Sequence, residues 1–327
     1  MYPIGGITTA FKMIYKKQQA YACYTLVANN MKKLLLLSFL LLSNYGFTQI
    51  KSVIIDRETK ERIPFVNIWV EDENVGTTSN QQGEFELSNK EPKVIVFSAI
   101  GYETRQIPSD SIINIVELKA SITELDEVVV VANKQELELT IGNFKKSKIN
   151  HYFTCGSKPW ITARCFPYQE NYNKTRLLNG IKILTKSDVR DAKFNVRLYS
   201  LSEDGKPDKY IYDKNIIGIA RKGKKITEID LSGLHIEFPK KGFFIAIEWL
   251  IIDDNLYEYN YTMQASNNKL KGISYEPSVG TVPSETDENS WIYSQGKWRR
   301  VWKNNSAALD RYKDKYSLLA IELILTN

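Results

Sequence analysis

From residue 50 onward, apolar and polar positions alternate in short runs separated by turn-forming residues, the pattern of strands that each bury one face. Residues 52–56 open the series and residues 57–61 turn it. In residues 64–70, Val66, Ile68 and Val70 share one face while Phe65 and Trp69 share the other. Residues 84–87 point Phe85 and Leu87 inward, and residues 93–100, apolar on both faces, read as a central strand. Residues 102–107 and 113–118 complete the first set. A polar stretch, residues 133–150, reads as a linker or a short surface helix. Strand patterns then resume at 180–185, 194–199, 215–220, 226–231, 243–251 and 318–325. Of these, 194–199 points Phe194, Val196 and Leu198 inward, and 243–251 is apolar on both faces. Strands do not alternate with long amphipathic helices, which argues against an α/β enzyme. The expectation is an all-β protein with a first sandwich at 50–132 and a second, jelly-roll-like sandwich at 151–327.

Within the first set the order of motifs is specific. Asp56, Pro64 with Val66-Asn67-Ile68, Gly76-Thr77-Thr78-Ser79, Gly83-Glu84-Phe85 and Ile100-Gly101-Tyr102-Glu103 follow one another. This succession resembles the carboxypeptidase-regulatory-like domain, a transthyretin-like sandwich, in its Bacteroidetes form. The resemblance covers about a quarter of the chain. Gly83 is expected at positive φ in the hairpin before Phe85. In the carboxypeptidases that name the family, the module accompanies a zinc-bearing catalytic domain, which has no counterpart here. The resemblance therefore implies an accessory module. Residues 125–131, LDEVVVV, resemble the stretch that follows this module in TonB-dependent outer-membrane receptors. That stretch reads either as a strand offered to a periplasmic partner or, as we favour, as the sandwich's last strand, since the remaining chain is too short for a barrel. The runs AKFNVRLYSLSEDGKP and KKGFFIAIEWL are similar to the C-terminal part of other Bacteroidetes proteins with the same first module.

The apolar run 34–42 changes the picture of where the protein resides. It follows Met31-Lys32-Lys33 and precedes small residues, the layout of a secretory signal peptide at 31–49 with cleavage near Thr48 and Gln49. The run is too short to span a bilayer. Residues 1–30 are then read as a misassigned start or an extension. Export to the periplasm or outer cell surface is expected, with no transmembrane span in the mature chain. Export also permits a disulfide between Cys155 and Cys165, and two free buried thiols stand as the alternative.

Charge and chemistry add less. The 44 basic residues exceed the 38 acidic ones only mildly and are spread along the chain, so nucleic acid is not an expected partner. The two histidines of the expected mature chain, His151 and His235, are poorly placed for catalysis, although Cys155 lies near His151. His235 sits in a strand-like alternation. Glu248 with Asp253 and Asp254 offers a conceivable carboxylate pair, and Asp287-Glu288-Asn289 an oxygen-rich loop. No G-x-S-x-G, P-loop or dinucleotide fingerprint occurs. We expect no enzyme activity, no metal and no cofactor. The positive feature is aromatic: Trp291, Tyr293, Trp298 and Trp302, with Arg300, gather around a hairpin turn at 294–297. These five residues are a candidate glycan-stacking site, or else rings that pack across the hairpin into the core. The functional expectation is an exported interaction or structural module whose partner is an envelope protein or glycan. A carbohydrate-binding protein is the alternative and a hydrolase is less favoured.

Overall fold

A computed structural model describes residues 31–32, 48–73, 75–89, 92–121, 137–263, 268–286, 290–304 and 310–327. The apolar run 34–42, the stretch 125–131 and the oxygen-rich loop 287–289 lie outside the described residues.

Among the described residues the first sandwich has seven strands: β1 (Thr48–Asp56), β2 (Asn67–Val70), β3 (Gly76–Thr78), β4 (Glu84–Asn89), β5 (Val94–Ser98), β6 (Arg105–Pro108) and β7 (Ile115–Leu118). They form a three-stranded sheet in the order β4-β1-β7 and a four-stranded sheet in the order β3-β2-β5-β6. Ile54, Phe85, Leu87, Val116 and Leu118 of one sheet pack against Ile68, Val70, Ile95 and Phe97 of the other. Gly83 has φ +70°, and a Cβ there would lie 2.8 Å from the Ile54 carbonyl oxygen, so both backbone conformation and space require glycine. Strand β2 is shorter than its apolar run. Ser79 Oγ accepts from the Val66 amide at 2.8 Å and donates to the Ile63 carbonyl at 3.2 Å. Phe65 takes φ 58°, which turns its ring away from the sandwich interior.

The second sandwich begins inside the stretch expected as a linker, with β8 (Glu138–Ile141), followed by β9 (Tyr152–Cys155), β10 (Ile161–Phe166) and β11 (Leu177–Ser187). Then come β12 (Ala192–Leu201), β13 (Pro207–Tyr210), β14 (Ile216–Ala220), β15 (Gly223–Asp230) and β16 (Phe243–Trp249). The last six are β17 (Leu256–Met263), β18 (Asn268–Ser284), β19 (Ser290–Ser294), β20 (Lys297–Arg300), β21 (Tyr316–Leu319) and β22 (Ile321–Thr326). A seven-stranded sheet runs β13-β12-β16-β10-β19-β20, with β14 on β12. An eight-stranded sheet runs β17-β18-β11-β22-β8, with β15 on β11 and both β9 and β21 on β18. The linker reading is corrected here: Leu139 and Ile141 pair with Leu325 and Leu323 and pack on the core, so β8 extends the sheet.

Phe194, Val196 and Leu198 of β12 and Phe243, Ile245 and Ile247 of β16 meet Ile181 and Ile183 of β11 and Leu323 and Leu325 of β22. Strand β16 is buried throughout, as its two-sided apolar pattern predicts. Its even-numbered residues, Phe244, Ala246 and Glu248, with Leu250 beyond them, leave the main core for the other side of the sheet. Residues 49–327 form one compact unit, so both sandwiches belong to a single body. Among the described residues no helix is long and apolar enough to cross a membrane.

Candidate functional site at the junction of the two sandwiches

The hairpin β19–β20 forms where the aromatic residues predict it. Gln295 and Gly296 take φ 52° and 74° at the turn, as a two-residue hairpin loop requires. Trp291 pairs with Arg300, and Tyr293 with Trp298. Because β19 also bonds to β10, its side chains join a cluster on the second face of the seven-stranded sheet. Trp291 is 8% exposed and packs among Ile161, Ala163, Cys165, Tyr199, Phe244 and Ala246. The Trp298 ring lies 59° from Tyr293 and 82° from Tyr199. Arg300 holds its guanidinium 5.5 Å from the Trp291 ring centre. Trp302, 87% exposed, stands beyond the end of β20. The five residues therefore make no common stacking plane. Four gather at the hairpin and only Trp302 is open to solvent as a whole ring.

Cys155 and Cys165 are free and buried, so the disulfide alternative is not the one the structure holds. Cys155 faces Tyr275 and belongs to the main core, while Cys165 pairs with Phe244 in the cluster on the other face of the sheet. Burial pushes the Cys155 thiol up to about 12 and the Cys165 thiol to about 11, which leaves both protonated and unreactive at neutral pH. His151 shares a 2.8 Å hydrogen bond between its Nδ1 and Thr281 Oγ1, and its ring centre lies 4.9 Å from that of Tyr312. Burial lowers its pKa. It is four residues from Cys155, about 13 Å at the rise of a strand, so no nucleophile–base pair forms. His235 is exposed at φ 51° after the short turn Ser232–Leu234, which corrects its reading as part of a strand alternation.

A buried polar cluster joins the sandwiches. Glu248 Oε2 accepts from Arg197 Nε at 2.7 Å and from Arg197 Nη2 at 2.5 Å. Its Oε1 accepts from Nδ2 of Asn67, a residue of the first sandwich. Arg197 and Glu248 side chains are 2% and 3% exposed. Arg197 Nη1 also donates to Asn215 Oδ1 at 3.0 Å, and Asn195 Nδ2 donates to the same oxygen at 2.7 Å. Burial is the largest single influence and would lower the Arg197 pKa, but the Glu248 carboxylate together with the neighbouring Tyr210 and Tyr199 outweighs it and holds the guanidinium above its usual value. Both oxygens of Glu248 are thus engaged. Asp254 instead binds Lys193 at 2.6 Å, so the conceivable carboxylate pair is not assembled.

Around this cluster the first sandwich presses its motif residues onto the second. Phe65 packs on Leu250 and Ile252. Thr78 Oγ1 accepts from the Ile251 amide at 3.0 Å, and the Thr78 amide donates to the Ile251 carbonyl at 3.3 Å. At Gly76 a Cβ would stand 2.6 Å from Pro159 Cγ of the second sandwich, so the close approach needs glycine. Two concave features flank the contact. A cavity of about 30 Å³, lined by Trp69, Trp160, Tyr293 and Gln295, has room for about one water. On the other side an open groove of about 720 Å³ runs past Lys51, Glu84, Glu86, Asn114, Asp253 and Tyr275. The sequence reading missed this junction. Its signal was two large aromatics set off from the inward positions of the first sandwich, Phe65 just ahead of β2 and Trp69 within it.

Residues 50–130 match the CarboxypepD_reg-like domain. The expected first module is therefore present over nearly the expected range. A curated relative, the TonB-dependent receptor SusC of Bacteroides thetaiotaomicron, is 34% identical over 138 residues. That match takes in 40% of this chain and spans only 14% of the receptor's length. Among solved structures, the cysteine protease and lectin-like domains of Cwp84, a surface-layer-associated protein of Clostridium difficile, align at 12% identity and TM-score 0.33 over 77% of this chain and 45% of that one. T=1 particles derived from infectious bursal virus align at 10% identity and TM-score 0.24 over 80% of this chain and 58% of that one. At these scores neither likeness bears on the fold or the function.

Proposed function

We propose that this chain is an exported, non-catalytic interaction or structural protein of the cell envelope, in which the CarboxypepD_reg-like domain is docked on the second sandwich as a fixed companion. The observation that carries this reading is the junction. Asn67 and Thr78 of the first sandwich bind Glu248 and Ile251 of the second, so the carboxylate best placed for chemistry works as an anchor between modules. The SusC relative, a TonB-dependent receptor, supports an envelope setting, and the leader-like pattern at 31–49 supports export.

The test is fractionation of the C-terminally tagged full chain expressed in a Bacteroides host, with N-terminal sequencing of the recovered protein. The expected result is an envelope-associated chain that begins near Gln49. An intact chain in the cytosol would contradict the proposal.

A further inference from the structure

The hairpin β17–β18 carries a second row of aromatics that the sequence reading did not single out. Residues Leu256–Met263 pair without interruption with residues Asn268–Tyr275, and β18 meets β11 only farther on, at Ser278 and Val279. Strand β9 joins β18 at Tyr275, so from Tyr257 and Ser274 outward β17 is an edge strand on a two-stranded arm. Strand alternation places Tyr257, Tyr259, Tyr261 and Met263 on one face, opposite Ser274, Gly272, Leu270 and Asn268. Tyr259 is 41% exposed, Tyr261 44% and Met263 46%.

The row has the form of a platform. A Cβ on Gly272 would stand 2.6–2.9 Å from Cζ, Cε2 and Oη of Tyr259, three consecutive atoms, which is how a ring laid face-down on the glycine presents itself. Its other face looks to solvent. The Tyr257 ring lies 6.0 Å away and only 22° from parallel, and Tyr261 continues the row at 6.0 Å with a 44° tilt. The described residues of this face carry no charge, whereas Glu258, Lys269 and Lys271 lie on the opposite face of the same hairpin.

These features select the occupant. A polyanion such as nucleic acid requires cations, which this face lacks. A stable protein partner covers about 800 Å² on each side. The arm is about 26 Å long and roughly 10 Å wide, on the order of 260 Å². What fits is narrow, linear, uncharged and flat-faced. We propose that Tyr257, Tyr259 and Tyr261 bind an extended, neutral, β-linked polysaccharide, with sugar rings stacked on the phenol faces and hydroxyls bonded to the phenol oxygens. This deepens the proposed function and rests on reading the chain as an interaction module.

The test is native affinity electrophoresis of purified residues 49–327, a single compact unit, in gels containing hydroxyethylcellulose, xyloglucan, glycogen or polygalacturonate. Retardation by at least one of the two neutral β-linked polymers is expected. The double variant Tyr259→Ala/Tyr261→Ala and the variant Gly272→Val, which displaces the Tyr259 ring, should lose it at least tenfold in apparent affinity. Trp302→Ala should keep it, and circular dichroism would verify that each variant is folded. No retardation by either β-linked polymer, equal retardation of the tyrosine variants, or retardation by glycogen or polygalacturonate alone would overturn the proposal. So would a change from dimer to monomer in the double variant on gel filtration, which would make the face a contact between copies. Failure here would leave the envelope reading intact, since fractionation tests that separately.

Discussion

The junction and the β17–β18 arm use similar residues to opposite ends. At the junction, Phe65, Asn67 and Thr78 project from the first sandwich and are received by Leu250, Glu248 and Ile251 of the second. On the arm, Tyr257, Tyr259 and Tyr261 project from β17, and Tyr259 and Tyr261 stay exposed. The difference lies in the position of each strand in its sheet. Strand β16 is paired on both edges, by β12 and β10, and packed on both faces, by the main core on one and by the hairpin cluster and Phe65 of the first sandwich on the other. Strand β17 ends its sheet and bonds to β18 alone. Side chains on a central strand become architecture, and those on an isolated edge remain available to a partner.

The comparison breaks most readily at Glu248. Glu248→Ala leaves Arg197 buried without its carboxylate, and the expected loss is about 3–5 kcal/mol in urea unfolding. A loss below about 1 kcal/mol would mean that the pair is not the buried anchor described. Thiol chemistry reads the same interior without a mutation. Cys155 and Cys165 are expected to resist a thiol-specific chromogenic reagent at neutral pH until the protein unfolds, and mass spectrometry should find both unbonded.

Acid acts on the first sandwich at a third place. The Thr59 amide, ahead of the opposing burial and with the Glu58 amide, holds the Asp56 carboxyl below its ordinary value. A folded pKa below the unfolded one contributes stability that is complete above about pH 3.9 and is lost as the pH falls through the folded value. Asp56→Asn should flatten that part of the acid limb of the stability curve, while a limb unchanged by the substitution would count against the turn. The smallest stability effect belongs to the arm. Tyr259→Ala is expected to change unfolding stability by no more than about 0.5 kcal/mol, although it removes a ring from the platform. A larger loss would place Tyr259 with the architecture and erase the contrast.

Much of the fold is legible from alternation. The inward positions of β12, the two-sided burial of β16 and the return of β22 into its sheet follow from periods of two and from apolar runs. Gly83 is legible from turn chemistry. Strand β8 was not, because a four-residue strand within a polar segment has too little pattern to be distinguished from a linker. The site was harder to read. Trp291 and Tyr259 both belong to hairpins rich in aromatics, and local sequence does not reveal that β19 bonds to β10 while β17 stands at an edge. The same limit hid the role of Glu248, whose partners Arg197 and Asn67 come from 51 and 181 residues away.

Calorimetry of residues 49–327 and of its Phe65→Ala variant tests the docking of the two sandwiches most directly. Phe65 is 8% exposed against Leu250 and Ile252, and it contributes nothing to the interior of the first sandwich. The account predicts one cooperative endotherm for the parent protein, and its separation into two when the Phe65 ring is removed. Two independent endotherms in the parent, or a single endotherm unmoved by Phe65→Ala, would contradict it.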